Sequence, residues 1–377
     1  MTKLLIPSHG ISLDDRDKIS SLRQEIKYRF LDFFSRHGYV KGAPGPLIPE
    51  QDDSVLFTGA ATNTMKPYLH GKKIPDEKLC MVQTCLRTQN VRTIEELSLA
   101  RWASYFTILG AIAEPQHLDS LSELTWIFFN QELGIPQARL KIRLASRDLD
   151  LGRTWQNKRF AGNLEIDAKD PVYYTHVYGM NEVTGRNCNL SLTEPGTDRL
   201  NDIGNIIIIE SAEKVIAAEI GFGVETFLSN LWGFSSSLQS ALIADIIPMT
   251  DVATIKFGDA LTSSIAILNT GKVRPRSRKG DHRGRILKYY LQAVSYWRTR
   301  ANFSMTDLRR FSEKFEEMEF GGSSWISARL EQYVSTYEKL SESHHTEHKF
   351  NEIMTGIFQL QEIDEHMPRA ALSCPDI

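Results

Sequence analysis

The chain has 377 residues, enough for two or three domains and a large buried core. Its 41% hydrophobic and 24% charged content is ordinary for a globular protein, and a net charge of −3 gives no whole-molecule attraction for nucleic acid. No apolar run reaches membrane-spanning length, so no membrane partner is expected.

The first predicted element is a helix over 15–37, where Leu22, Ile26, Phe30, Phe33 and Phe34 recur at helical spacing before Gly38. The run Gly42-Ala43-Pro44-Gly45-Pro46 forbids helix and reads as a connection. Strands are predicted over 55–58, 79–87 and 105–111, then an amphipathic helix over 118–133, closed by Gly134 and Pro136. Shorter strands follow as far as residue 198. A strong strand spans 202–210, with Ile206 to Ile209 as its β-branched centre, and another spans 214–218. The segment 225–232 turns helical, and helix follows helix from about Leu242. Strands first and helices later predict an α+β domain with an antiparallel sheet flanked by helices, then an all-α domain. The boundary falls among the small polar residues near 233–237, giving domains 1–237 and 238–377.

The N-terminus lacks a full signal-peptide core, and Cys80, Cys85, Cys188 and Cys374 lack paired metal spacing. Both features predict a cytoplasmic protein with reduced thiols. The run His344-His345-Thr346-Glu347-His348 lacks His-Glu-x-x-His order and reads as a solvated face, so no metal site is expected. Charge is uneven, however. Ten Lys or Arg residues stand between Lys272 and Arg300, opposed only by Asp281. Lys272, Arg274, Arg276, Arg278, Lys279, Arg283, Arg285 and Lys288 form the dense part, a local footprint for a polyanion.

The segment Ala218-Glu219-Ile220-Gly221-Phe222-Gly223-Val224-Glu225-Thr226-Phe227 reads as a strand entering a helix, with two glycines at the turn. It resembles motif 3 of the class II aminoacyl-tRNA synthetases, Gly-x-Gly-x-Glu-Arg, with Thr226 in the arginine position. Three further segments resemble the alanyl branch of that family. Phe30-Leu31-Asp32-Phe33-Phe34, followed by Leu56-Phe57-Thr58-Gly59-Ala60, looks like its opening helix and strand. Gln83-Thr84-Cys85-Leu86-Arg87, continuing to Tyr105-Phe106-Thr107-Ile108-Leu109-Gly110, is similar to motif 2. Ile267-Leu268-Asn269-Thr270-Gly271-Lys272-Val273-Arg274-Pro275 resembles the opening of its tRNA-binding helical domain.

The resemblance implies a class II synthetase-like fold and a role for each matching residue. Arg87 stands where an arginine binds the α-phosphate and the amino-acid carboxylate, a task suited to a bidentate guanidinium. Tyr105 occupies the place of an aromatic near adenine, and Gly221 and Gly223 line the adenosine. Asn205 matches an asparagine of the amino-acid pocket, and Glu219 the carboxylate that holds the substrate ammonium. The departures carry equal weight. Threonine cannot supply the planar cation expected at Thr226. Thr107 replaces a glutamate. Gly204 stands at a tryptophan position, and Tyr178-Gly179 lies near a second, which together imply a pocket for a side chain larger than alanine. The Ser-Asn-Glu-Asn run that reads the alanine acceptor stem is absent from Ser277-Arg278-Lys279-Gly280-Asp281-His282.

These features predict an enzyme that starts from aminoacyl-tRNA and passes the amino acid to a small-molecule acceptor, in the tailoring of a secondary metabolite. No cofactor is expected. ATP and Mg enter only under a first alternative, an ATP-dependent ligase or tRNA synthetase in which Arg92, Arg101 or Arg186 replaces the missing arginine. A second alternative is a non-catalytic tRNA-binding regulator. The oligomeric state stays open, with a monomer favoured.

Overall fold

Ile19, Leu22, Ile26, Phe30, Phe33 and Phe34 put one apolar stripe on the first helix, α1 (Arg16–Arg36), and all six are buried. Phe30 and Phe33 meet Phe128 at ring-centroid distances of 5.5 Å. Gly38 then takes φ +82°, a left-handed turn that glycine adopts without a Cβ clash. The computed structural model describes residues 6–343 except 8–9, 51, 71–76, 100, 157–159, 161, 170, 181, 213, 276–279 and 323–324.

Among the described residues nine strands form one mixed, mostly antiparallel sheet. They are β1 (Val40–Lys41), β2 (Leu79–Leu86), β3 (Tyr105–Ala113), β4 (Leu140–Ala145), β5 (Leu164–Asp167), β6 (Thr175–Val177), β7 (Val183–Thr193), β8 (Leu200–Ser211) and β9 (Lys214–Gly223). Their order is β1-β2-β3-β9-β8-β7-β4-β5, with β6 on β7. The β3–β9, β9–β8, β8–β7, β7–β4 and β6–β7 pairs are antiparallel, and the β1–β2 and β4–β5 pairs are parallel. The strands expected over 79–87, 105–111, 202–210 and 214–218 are present. The one expected over 55–58 is not. There Thr58 donates its N–H to Leu47 O at 2.8 Å and its hydroxyl to Pro46 O at 2.7 Å, which ties the segment to a loop. The helix expected over 118–133 is α3 (Leu118–Ile127) followed by one π-helical turn at Phe128–Glu132.

The chain divides into two units. The first holds residues 1–85 and 107–234 with most of the sheet, α1, α2 (Thr62–His70), α3 and α4 (Val224–Trp232). The second joins 86–106 to the helices α5 (Val252–Asn269), α6 (His282–Arg300), α7 (Met305–Phe320) and α8 (Trp325–Ser343). Its centre is α5, buried along nearly its whole length. Within this unit the buried carboxylate of Asp259 accepts from Ser104 N at 2.7 Å, Ser104 Oγ at 2.8 Å and Asn90 Nδ2 at 3.0 Å. Lys256 Nζ donates to Thr93 O and Trp297 Nε1 to Ile94 O, both at 2.6 Å. The segment between β2 and β3 is thereby fixed to the helices.

Strand parity decides which side chains of the sheet share a face. On β9, Ala218, Ile220 and Phe222 point into the apolar core with Phe129 and Phe227. Glu219, Gly221 and Gly223 therefore share the opposite face. Register carries this face to Ile207 and Asn205 on β8, paired with Glu219 and Gly221, and to Asn187 and Asn189 on β7. Gly204 pairs with Phe222 and belongs to the core face. A Cβ there would lie 2.2 Å from Phe222 Cδ1 and 2.3 Å from Gly221 O. The expectation that Gly204 lines an enlarged substrate pocket is thus corrected: its missing side chain admits Phe222 into the core. Gly204→Ala should lower unfolding stability by about 1–3 kcal/mol through overpacking. Urea denaturation checks this, with a lower midpoint at unchanged slope as the expected result.

Candidate functional site

Glu219 lies mid-strand on β9 and is 4% exposed. Thr62, the first residue of α2, donates its hydroxyl to Glu219 Oε1 in a short hydrogen bond. The Tyr178 hydroxyl stands 3.5 Å from Oε2. Burial pushes the Glu219 carboxyl up to about 7, while the Thr62 hydroxyl, then Tyr178 and the Thr62 backbone, pull it down. The result is a carboxyl near its midpoint at neutral pH in a dry setting, where an approaching ammonium would find a strong partner. Tyr178 reaches this carboxyl because β7 presents Gly185, where a Cβ would come within 3.0 Å of the tyrosine oxygen.

On the same face, one register step along, runs the row Gly110, Gly221, Asn205, Asn189 and Arg143. Asn205 Nδ2 donates to Asn189 Oδ1 at 2.6 Å, and Asn189 Nδ2 to Asp202 Oδ2 at 2.7 Å. Asp202 also accepts from Arg143 Nη1 at 3.0 Å and from the hydroxyls of Ser191 and Tyr173. Buried polar groups at this density need partners, and the network supplies them.

Gly221 and Gly223 are the last strand residues of β9 on the Glu219 face rather than members of a separate turn. Gly223 is the N-cap of α4, in extended conformation. Glu225, in the first turn of α4, accepts the backbone N–H of Thr107 on β3 at 2.9 Å. The glutamate of the Gly-x-Gly-x-Glu turn therefore braces β3. Arg186 is held by Glu210 at 2.7 Å and by Asp148 and Asp150 at 3.0 Å, which raises its pKa. As a replacement for the arginine missing at Thr226 it is already committed.

The other predicted residues lie in the helical unit. Arg87 packs its guanidinium over the Phe106 ring at 5.1 Å, and its backbone N–H donates to Ser104 O at 2.9 Å. Tyr105 donates its hydroxyl to Glu319 at 2.7 Å and packs edge-on against Phe315. Lys272 and Arg274 are exposed, and Arg283, Arg285 and Lys288 half-buried. Arg276, Arg278 and Lys279 lie outside the described residues, as do Cys374 and the histidine run at 344–348. Arg298 leaves the basic cluster for Glu338 at 2.8 Å, and Arg300 stacks on Tyr296 at 3.4 Å. Gly284 has a packing reason, since a Cβ would meet Arg274 O at 2.6 Å.

The structure thus brings Glu219, Asn205, Gly221, Gly223 and Tyr178 to one face and turns Gly204 to the other. Sequence reasoning missed Thr62, Asn187, Asn189 and Asp202. Alternation in Asn187-Cys188-Asn189-Leu190-Ser191-Leu192 was the available signal: polar residues at period two, with apolar residues between them on the other face. Cys80, Cys85 and Cys188 are buried free thiols. Among the described residues no three His, Cys, Asp or Glu side chains gather as a metal site, and no helix is long and apolar enough to cross a membrane.

Residues 25–167 match the family model described as tRNA synthetases class II (A). The alanine–tRNA ligase of Desulforamulus reducens is 23% identical over 269 residues, 65% of this chain and 30% of that protein. The alanine–tRNA ligase of Rubrobacter xylanophilus is 32% identical over 138 residues, 36% of this chain and 15% of that protein. The matches thus span a third or less of these relatives' length. Among solved structures, apo histidyl-tRNA synthetase of S. aureus is similar with a TM-score of 0.35 and 12% identity, over 61% of this chain and 74% of that one. Over residues 25–167 the chain thus resembles the class II aminoacyl-tRNA synthetase catalytic domain, and it is distantly similar to alanine–tRNA ligases over part of their length.

Proposed function

We propose that the protein moves an amino acid from aminoacyl-tRNA to a small-molecule nitrogen nucleophile without ATP, as a tailoring step in secondary metabolism. One observation carries the reading. The buried Glu219 carboxyl keeps the amine anchor, while Thr226 stands at the arginine position and Arg186, one of three candidates to replace that arginine, is committed to Glu210, Asp148 and Asp150. An aminoacyl ester is already activated. The nucleophile's nitrogen attacks the ester carbonyl, a C–N bond forms, and the C–O bond to the terminal ribose breaks. The ribose hydroxyl leaves with the proton that the nitrogen gives up. Glu219 holds the α-ammonium, and most of the acceleration comes from positioning. Arg87 is assigned, from its place in motif 2, to the charge that develops on the carbonyl oxygen. The helical unit supplies tRNA contacts through its basic residues.

With a charged tRNA pool and a panel of small amines, protein-dependent transfer of labelled amino acid into an amide is expected. No amino-acid-dependent ATP–pyrophosphate exchange should accompany it. Robust exchange with any proteinogenic amino acid would sink the proposal in favour of the ATP-dependent ligase.

The amine anchor has a pH signature. With the Glu219 carboxyl at about 7, it is charged above that pH and neutral below it. Affinity for 3′-aminoacylamino-3′-deoxyadenosine, a stable mimic of the charged tRNA end, should therefore weaken as pH falls from 8 to 6. Glu219→Gln should bind about 10- to 100-fold more weakly at pH 8, with a flatter profile. Calorimetric titration across that range is the check.

Replacing Lys272, Arg274, Arg283 and Arg285 together with Ala should weaken tRNA binding at low salt. The slope of log affinity against log salt should fall by roughly one for each phosphate that the variant no longer neutralises. Filter binding over a salt series measures both. An unchanged slope would assign the patch to solvent.

A further inference from the structure

The amide row beside Glu219 has a fixed polarity, and that polarity selects a substrate. Asp202, ion-paired with Arg143 at 3.0 Å, accepts hydrogen bonds as a carboxylate. Asn189 must therefore turn Nδ2 toward it, at 2.7 Å. This leaves Asn189 Oδ1 as an acceptor, and two neighbours fill it: Asn205 through Nδ2 at 2.6 Å, and Asn187 through Nδ2 in a short hydrogen bond. Both neighbours are thereby oriented with Nδ2 inward to Asn189. Each is left with a carbonyl oxygen to offer elsewhere. Asn187 is fully buried, and its Oδ1 has no hydrogen-bond partner among the described residues. An acceptor buried without a donor is costly, and a native protein tolerates it where something else provides the donor.

The position of these oxygens matters. Asn187 pairs with Ile207, which pairs with Glu219, so the three form one row across β7, β8 and β9. Asn205 stands in the adjacent row, beside Gly221. At Gly221 a Cβ would meet only Ile108 Cδ1, at 3.4 Å, so this part of the face is unobstructed by the strand itself. A residue whose α-ammonium is held at Glu219 would extend its side chain over the same sheet face that carries the two amide oxygens. Resting on the proposed transfer reaction, we infer that the transferred amino acid carries a hydrogen-bond donor, a hydroxyl or amide, in its side chain. Asn187 and Asn205 are the residues that select it. This replaces the preference for a side chain merely larger than alanine that Gly204 had implied.

Affinity for pairs of 3′-aminoacylamino-3′-deoxyadenosines tests the inference in the full chain at pH 8. Each pair sets a donor-bearing side chain against an aliphatic one of similar shape: seryl against 2-aminobutyryl, threonyl against valyl, asparaginyl against leucyl. In at least one pair the donor-bearing member should bind about tenfold tighter or more. Asn205→Ala, at a half-exposed position, should bring that ratio toward one, with a thermal melt confirming its fold. If every aliphatic member binds as tightly as its partner, the side-chain inference is overturned while amine anchoring and transfer stand. If no mimic binds and no charged tRNA is consumed, the transfer reading falls, and this inference with it.

Discussion

A carboxyl group taken out of water on the middle strand of a sheet has to be compensated, and the surroundings of Glu219 are organised by that requirement. Two hydroxyls reach it from separate elements, Thr62 from the start of α2 and Tyr178 from the segment before β7. Each needs room. Gly110 lets α2 approach, since a Cβ there would meet Ala61 Cβ at 2.4 Å, and Gly185 clears the space below Tyr178. Neutral donors moderate the burial penalty without abolishing it, so the group stays poised between charge states rather than locked in one. A Lys or Arg in place of either hydroxyl would pair with the carboxylate permanently and compete with any incoming amine.

At the strand–helix junction the backbone path rests on Glu225, not on its neighbour Thr226. Glu225 keeps β3 in line by accepting the Thr107 N–H, and this brace is indifferent to the residue that follows. Replacement at the next position, Thr226, therefore alters surface chemistry while the backbone path survives. Arg186 illustrates the complementary case. A guanidinium ringed by Glu210, Asp148 and Asp150 is a fixed strut, because freeing it would strand several carboxylates.

Much of this architecture is legible in the residues. The stripe from Leu22 to Phe34 marks α1, and the isoleucines at 206–209 mark the centre of β8, because periodicity reports burial directly. Face assignment is harder. Gly204 and Asn205 are adjacent in sequence and both read as pocket residues, yet a strand sends neighbours to opposite sides, and pairing to Phe222 decides which side is the core. Partners distant in sequence are out of reach altogether. Nothing local to Thr62 announces a carboxylate 157 residues further on, and Asp202 gives no sign that it orients three asparagines through Asn189. The short segment at 55–58 misleads for a related reason: its β-branched and aromatic residues fit a strand, but the N–H and hydroxyl of Thr58 find loop carbonyls.

The tie between Asp259 and Ser104 also sets an order of events during synthesis. The segment 86–106 leaves the ribosome well before α5, α6 and the helices after them. At about 5–20 residues per second, the interval between Ser104 and Asp259 is on the order of 10 s. Until then Ser104 and Asn90 lack their carboxylate, and Ile94 lacks the tryptophan that caps its carbonyl. The loop that carries Arg87 therefore acquires its final shape late. A nascent chain halted before α5 would lack the carboxylate and the indole that anchor that loop.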